Sequence, residues 1–216
     1  MHLDHVTFAV GPHGLDATTE KLGSLLGSTF LDGGVHPRFG TRNRILPLRN
    51  RQYLEVVEVL DHPAADKMAF GQVVRARSEA GGGWLHWCLA VEDLALVEER
   101  MGRHAVPGNR HRPDGFNLEW HQIGTSSMKA DPQLPYVTRW DIPADEHPSQ
   151  AAASDVELVQ MEIAGDPQRV ADWLGENVFD ALESIKVDWA APNGMPGILA
   201  AIQAGANPRV IQQKLT

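Results

Sequence analysis

Leu3-Asp4-His5-Val6-Thr7-Phe8-Ala9-Val10 returns about eighty residues later as Trp84-Leu85-His86-Trp87-Cys88-Leu89-Ala90-Val91. With His5 set on His86, Val-Thr-Phe-Ala-Val falls against Trp-Cys-Leu-Ala-Val, and each run has the apolar character of a buried strand. Each copy is followed by a polar turn and then by a helix-like segment ending on Leu22-Gly23 or Met101-Gly102. Two equivalent strands carrying the same imidazole predict a repeated fold with a site shared between the repeats.

Outward from the first copy, Gly11 to Gly14 form a turn. A helix opens over Leu15-Asp16-Ala17-Thr18, with Asp16 or Thr18 as its cap and Leu22, Leu25 and Leu26 as its apolar face. Residues 27–40 read as a short strand and a loop. Residues 43–48 and 52–59 read as strands joined by the polar turn Leu48-Arg49-Asn50-Arg51, which gives the order β-α-β-β-β. Between the repeats, Phe70, Val73, Val74 and Ala76 suggest a short helix, followed by the flexible Gly81-Gly82-Gly83. The second copy gives a strand over 84–91, a helix over 94–101, a loop over 106–115 and strands over 117–123 and 135–140.

Residues 142–154 read as a linker or long surface loop. Beyond them lies a strand over 156–164, a helix over 167–174 opened by Pro167, and strands over 183–190 and 197–204 around the turn Pro192-Asn193-Gly194. In this third, degenerate unit Val159 stands where the histidines stood, so its expected role is structural, as an extension of the sheet or an oligomer contact. The predicted organisation is a first module over 1–62, a connector over 63–83, a second module over 84–141, a linker over 142–154 and the third unit over 155–216.

The chain of 216 residues is 43% hydrophobic and 22% charged, which suffices for a genuine core in one large or two small domains. A net charge of −9 with no basic block argues against a nucleic-acid partner. No apolar run approaches the ~20 residues that cross a bilayer, and the N-terminus shows no basic, apolar or cleavage region of a leader. Cys88 is the sole cysteine, which excludes an internal disulfide, and within its apolar run it reads as an inert core thiol. The expectation is a cytoplasmic protein with a small-molecule substrate and no nucleic-acid or membrane partner. The join between the modules is long enough for them to close within one chain or across a homodimer.

His5, Glu55 and His86 are the metal-capable residues left on strands. Two imidazoles and one carboxylate suit divalent first-row metals and leave positions open for water and substrate. In the strand Tyr53-Leu54-Glu55-Val56-Val57, Glu55 shares an apolar-flanked face with Tyr53 and Val57, so it must be paired, protonated or metal-bound. Matching Tyr53 with Tyr136 puts Thr138 in the place of Glu55, so a fourth ligand is missing from the second module.

Leu3-Asp4-His5-Val6, Gly33-Gly34-Val35-His36-Pro37, Gly40-Thr41-Arg42-Asn43-Arg44-Ile45, Tyr53-Leu54-Glu55-Val56, Gly81-Gly82-Gly83-Trp84 and Asn109-Arg110-His111-Arg112-Pro113-Asp114-Gly115 together resemble the vicinal oxygen chelate superfamily, and within it the glyoxalase-like domain proteins. The resemblance covers roughly residues 2–141. It implies an α+β fold of paired βαβββ modules around a central cavity, with the C-terminal residues as a degenerate third βαββ unit. It also implies metal ligands on the first and last strands of each module, here His5, Glu55 and His86. Thr138 departs from the pattern of glyoxalase I, which has a fourth ligand there, whereas catechol-opening dioxygenases manage with two histidines and a glutamate.

Around this centre Arg42, Asn43, Arg44, Asn109, Arg110 and Arg112 are expected to bind substrate carboxylate or phosphate, or else to anchor loops with Asp114 and Glu119 as partners. His121 and His36 are expected proton shuttles, His36 more readily a loop residue beside Pro37, and Glu55 and His121 are the expected catalytic pair. Trp84, Trp87, Trp120 and Trp140 read as core or cavity-wall residues, with Trp84 and Trp120 as substrate contacts. One functional expectation is an enzyme of lyase, isomerase or dioxygenase type. A divalent ion (Zn, Fe, Mn or Ni) would bind vicinal oxygens of a small substrate and stabilise an enediolate or similar oxyanion. The other is a metal-free protein that encloses a small molecule, as drug-sequestering members of the superfamily do. A purely structural protein has no positive feature behind it.

Overall fold

The computed structural model describes residues 1–175, 182, 185–191, 196–204 and 209–213. The first module comprises β1 (His2–Ala9), α1 (Gly14–Leu26), β2 (Leu31–His36), β3 (Thr41–Pro47) and β4 (Tyr53–Val59). The connector forms α2 (Pro63–Lys67) and α3 (Ala69–Glu79). The second module comprises β5 (Gly83–Ala90), α4 (Ala95–Met101), β6 (Val106–His111), β7 (Asn117–Ile123), α5 (Thr125–Ala130) and β8 (Tyr136–Trp140). The Gly- and Arg-rich stretch expected as a loop is therefore mostly strand: β6 pairs along its length with β7, and only the turn after His111 is irregular.

Helix α1 runs through Gly23 and ends at Gly27, whose left-handed backbone closes it; Gly102 closes α4 in the same way. Neither Asp16 nor Thr18 caps α1. Thr18 donates back to the Gly14 carbonyl, and Asp16 pairs with Arg44 on the neighbouring strand.

Eight strands close into a barrel in the order β1-β4-β3-β2-β6-β7-β8-β5. Each half has its first strand beside its last, so the two modules share one topology. Their registers differ by two residues against the sequence repeat: His5 lies opposite Tyr53, but Cys88, two residues past His86, lies opposite Tyr136. The halves meet at two unequal seams. β1 and β5 pair antiparallel from His2–Ala90 to Ala9–Gly83, whereas β2 and β6 share the single pair Val35–His111. Closure takes place within one chain.

Strand alternation sorts the side chains. Val6, Phe8, Leu54, Val56, Trp87, Leu89 and Val137 face outward into a large apolar core. His5, Thr7, Tyr53, Glu55, His86 and Tyr136 are buried on the inner face. The outward core is covered by a separate four-stranded sheet in the order β10-β9-β11-β12, formed by β9 (Glu157–Ala164), β10 (Lys186–Ala190), β11 (Gly197–Ala204) and β12 (Arg209–Gln212). Helix α6 (Pro167–Leu174) follows β9, with Pro167 in its first turn and Asp166 capping it.

Leu158, Met161, Ile163, Ile198 and Ile211 from this unit join Val6, Phe8, Trp87 and Leu89 in one cluster. Burial of each such side chain contributes about 1.5–3 kcal/mol. The unit is not a third copy of the module, because its first strand pairs with β10 and β11 at the centre of its sheet. Its fourth strand, β12, extends the βαββ pattern expected from sequence. The expected turn over 192–194 and the start of the strand expected over 183–190 lie outside the described residues.

Candidate functional site

The inner face of the barrel surrounds a small cavity of mixed polar and aromatic lining, formed by His5, His36, Phe39, Asn43, Tyr53, Glu55, Phe70, Arg110, Trp120, Gln122, Tyr136, Thr138 and Trp140. Its volume, measured as the space open to the centre of a water molecule, is about 20 Å³, room for about one water. Phe70 comes from α3, which plugs the barrel end beside His36 and His86.

Glu55 lies at the centre of this interior. Thr7 Oγ1 donates to its Oε2 at 2.8 Å and Asn43 Nδ2 to its Oε1 at 2.7 Å. His36 Nε2 is 3.9 Å from Oε1. Burial works to raise its pKa, but the imidazoles of His5, His36 and His86 and the Asn43 hydrogen bond outweigh that and hold it below the ordinary value. His36 is itself pushed down to about 4 by burial, so it is neutral near pH 7. It ends β2 and bonds Thr41 Oγ1 at 2.9 Å, a structured cavity residue rather than part of a loop.

His5 is held from behind. Its Nδ1 is 2.6 Å from Asp4 Oδ2, and Tyr53 stacks on its ring with centroids 4.4 Å apart. With the Nδ1 proton donated to Asp4, Nε2 keeps its lone pair for the cavity, where it accepts from the Tyr136 hydroxyl at 2.9 Å. Asp4 Oδ1 accepts from Trp140 Nε1 at 3.1 Å and from His147 Nε2 at 3.0 Å. The backbone N–H of Ser149 donates to His147 Nδ1, which leaves the His147 proton on Nε2. Burial works to raise the Asp4 pKa, but the hydrogen bonds from His147 and His5 prevail and hold the carboxyl far below the usual range. His147 lies between two short 3₁₀ turns in the stretch expected as linker, Ser149 lies in the second of them, and both residues are buried.

His86 is fully buried, and among the described residues neither ring nitrogen has a hydrogen-bond partner. It sits opposite Thr7, which in turn lies opposite Glu55. Burial pushes its pKa down to about 3, so the ring is neutral and offers a free lone pair. The Cys88 thiol one step along is pushed up by burial and stays protonated.

Of the other expected site residues, Asn43, Arg110 and Trp120 line the cavity, and Trp120 Nε1 donates to Gln122 Oε1 at 2.6 Å. Arg42 does not face it: alternation turns the side chain outward to pair with Glu58 at 2.6 Å. His121, between the inward Trp120 and Gln122, likewise points out and bonds Asp141 at 2.6 Å. Trp84 is turned outward by a bulge, since the register slips between Thr7 and Phe8 and sets Trp84 opposite the outward Phe8. Its indole donates to the Ile211 carbonyl and packs edge-on against Phe8. Arg44 pairs with Asp16, Asn109 bonds Asn117, and Arg112 pairs with Asp114 and Glu146, all outside the cavity.

Asp4, Thr7, Gln122 and His147 are site residues that strand patterning did not single out. Asp4 precedes a repeated histidine, the one local signal for it; His147 has none.

In kind, His5 Nε2, a Glu55 oxygen and a His86 nitrogen are the ligand types a divalent ion takes, and Asp4 is the outer carboxylate that metal-bound histidines use. In position, the three do not have all their donor atoms within 4.8 Å of one another and His86 stands behind the cavity lining, so they would have to draw together to hold an ion. Ligation would displace the Tyr136 hydroxyl from His5. Among the described residues, Asp4, His5 and Cys88 are the trio whose donor atoms all lie within 4.8 Å of one another. That trio is poorly suited to an ion, because Asp4 is already saturated by three donors and the thiol is held protonated.

The model of the glyoxalase-like domain family matches residues 3–178. No curated protein matches the chain in sequence. Among solved structures, a hypothetical protein from Staphylococcus aureus aligns over 95% of this chain and 91% of its own, at 15% identity and a TM-score of 0.69, which shows the shared fold. Methylmalonyl-CoA epimerase from Mycobacterium tuberculosis aligns over 64% of this chain and 86% of its own, at 16% identity and a TM-score of 0.42. A Streptomyces coelicolor methylmalonyl-CoA epimerase solved with 2-nitronate-propionyl-CoA aligns over 65% and 93%, at 18% identity and a TM-score of 0.42. With most of its length matched by the family model and the paired modules closed into one barrel, the chain belongs to the glyoxalase-like domain family of the vicinal oxygen chelate superfamily.

Proposed function

We propose that this protein is a metal-dependent enzyme of lyase, isomerase or dioxygenase type acting on a small substrate that chelates through adjacent oxygens, with His5, Glu55 and His86 as the metal ligands. The observation that carries the reading is His86, a fully buried imidazole with both nitrogens unpartnered among the described residues, beside an ionised carboxylate. Leaving such a group unsatisfied costs about 1–3 kcal/mol, which a bound ion would offset. A divalent ion held there supplies a Lewis acid for a developing oxyanion.

The chain's own groups supply the rest. Asp4 fixes the His5 tautomer, and Tyr136, once released from His5, offers a hydroxyl proton to a substrate oxygen. Phe39, Phe70, Trp120 and Trp140 give the cavity its apolar wall.

A second reading, a metal-free protein that encloses a small ligand, is favoured by the hydrogen bonds that already satisfy two of the three groups: Tyr136 on His5, and Thr7 and Asn43 on Glu55. Elemental analysis of protein purified without added metal or chelator separates the two. The enzyme reading expects about one equivalent of a divalent metal, lost in His5→Ala, Glu55→Gln and His86→Ala. A protein that stays metal-free on titration with zinc, iron(II), manganese and nickel sinks it.

A further inference from the structure

We propose that the substrate is a small carboxylic acid oxygenated at the adjacent carbon, an α-hydroxy or α-keto acid of two to four carbons, whose carboxylate is received by Arg110 and Gln122. The oxygenated carbon rests on the metal-dependent reading above; the carboxylate subsite rests on different atoms.

Arg110 is 3% exposed, and among the described residues its side chain makes no ion pair; the carboxylates of Glu55 and Asp32 act on it only from a distance. A guanidinium shielded from water with no carboxylate in contact is costly, and a ligand anion in contact would offset that cost. Its Nε is unpartnered, and the side chain lines the cavity wall. Gln122 Oε1 is occupied by the Trp120 indole, which leaves its buried Nε2 as a second donor with no acceptor. These two donor groups share the cavity with one unpaired acceptor, Asn43 Oδ1, so donors outnumber acceptors there, which suits a planar pair of oxygens of the kind a fork-shaped guanidinium binds best.

Gly33 borders the same wall: a Cβ there would overlap the Asn43 carboxamide and stand 3.2 Å from Arg110 Nη1, so the glycine makes room chiefly for Asn43 beside Arg110. The cavity of about 20 Å³ holds about one water, so any acid must open it to enter, and the smallest acids require the least opening. Glu55 repels an anion, but Arg110 and a cation held by His5, Glu55 and His86 outweigh one carboxylate.

The test is calorimetric titration of glycolate, lactate, pyruvate and the uncharged analogue hydroxyacetone into metal-loaded protein and into chelator-treated protein, with metal content measured on the same samples. The acids are expected to bind at least about tenfold more tightly than hydroxyacetone, and that preference is expected to vanish in Arg110→Met and to fall several-fold in Gln122→Leu. Arg110→Met is also expected to melt no lower than wild type without ligand, because removing an unpaired buried charge relieves the fold; a lower melting temperature assigns Arg110 a structural role and overturns the proposal. Equal binding of acid and hydroxyacetone also overturns it, as does an acid preference that survives in Arg110→Met. Acid binding through Arg110 in a protein that takes no metal supports the subsite and sinks the metal reading alone.

Discussion

His147 Nε2 stands 3.0 Å from Asp4 Oδ1 across a separation of 143 residues. The contact ties the segment after β8 to the first strand and, through Asp4, to the orientation of His5. Removing His147 takes one of three donors from a buried carboxylate, so His147→Ala is expected to cost about 1–3 kcal/mol in urea unfolding. If the ion binds at His5, the variant also loses about 10–100-fold in metal affinity, read by competition with a chelating dye. Wild-type affinity for both metal and denaturant would show that the segment merely lies against the barrel.

Asp4 also sets a pH dependence. Its folded-state pKa is held below the unfolded value of 3.8, so its contribution is complete above that value and is lost as pH falls below it. Wild type is therefore expected to lose more stability than Asp4→Asn between pH 6 and pH 3, with the two unfolding midpoints converging at the acid end. Parallel curves would mean that the carboxylate carries no such share.

His86→Leu tests the orphaned imidazole. Without metal, a leucine of similar size in a dry site is expected to leave stability unchanged or raise it by about 1 kcal/mol, because an unsatisfied polar group is removed. Thermal melts in chelator should show this, while metal-dependent stabilisation disappears. A large loss in chelator would mean that the ring makes packing contacts that leucine cannot replace.

Trp84→Ala and His121→Ala test the outward assignments. Trp84 lies in the core between the barrel and the C-terminal sheet, so its truncation is expected to cost about 3–5 kcal/mol. His121 is exposed on the outer face, and its removal is expected to change stability by no more than about 0.5 kcal/mol and ligand binding not at all. An effect of His121→Ala on binding would put it back in the site.

Val35 and His111 form the sole pair joining β2 to β6, beside Arg110. Opposed strand positions are close enough for a disulfide. A Val35→Cys/His111→Cys pair is expected to slow ligand association when oxidised and to recover on reduction, if ligands reach the cavity by parting this seam. Unchanged association rates under oxidation would place the route elsewhere.

The sequence by itself determined the repeat, the α+β class and the strands that carry His5, Glu55 and His86, because a buried strand leaves a continuous apolar signature and a duplicated one leaves it twice. It also isolated Arg110, Asn43 and Trp120 as polar or aromatic residues near that centre. It could not sort neighbours such as Arg42 from Asn43, or His121 from Gln122, because alternation fixes that two adjacent residues differ in face but not which is inward. The bulge that turns Trp84 outward depends on pairing with β1, not on its own neighbours. Only the tertiary structure decided that His147 reaches Asp4, that the C-terminal unit is a differently wound sheet over the outer core, and that the His86 ring nitrogens and Arg110 Nε have no hydrogen-bond partner among the described residues. Those facts are contacts between distant segments, and no local pattern encodes the absence of a partner.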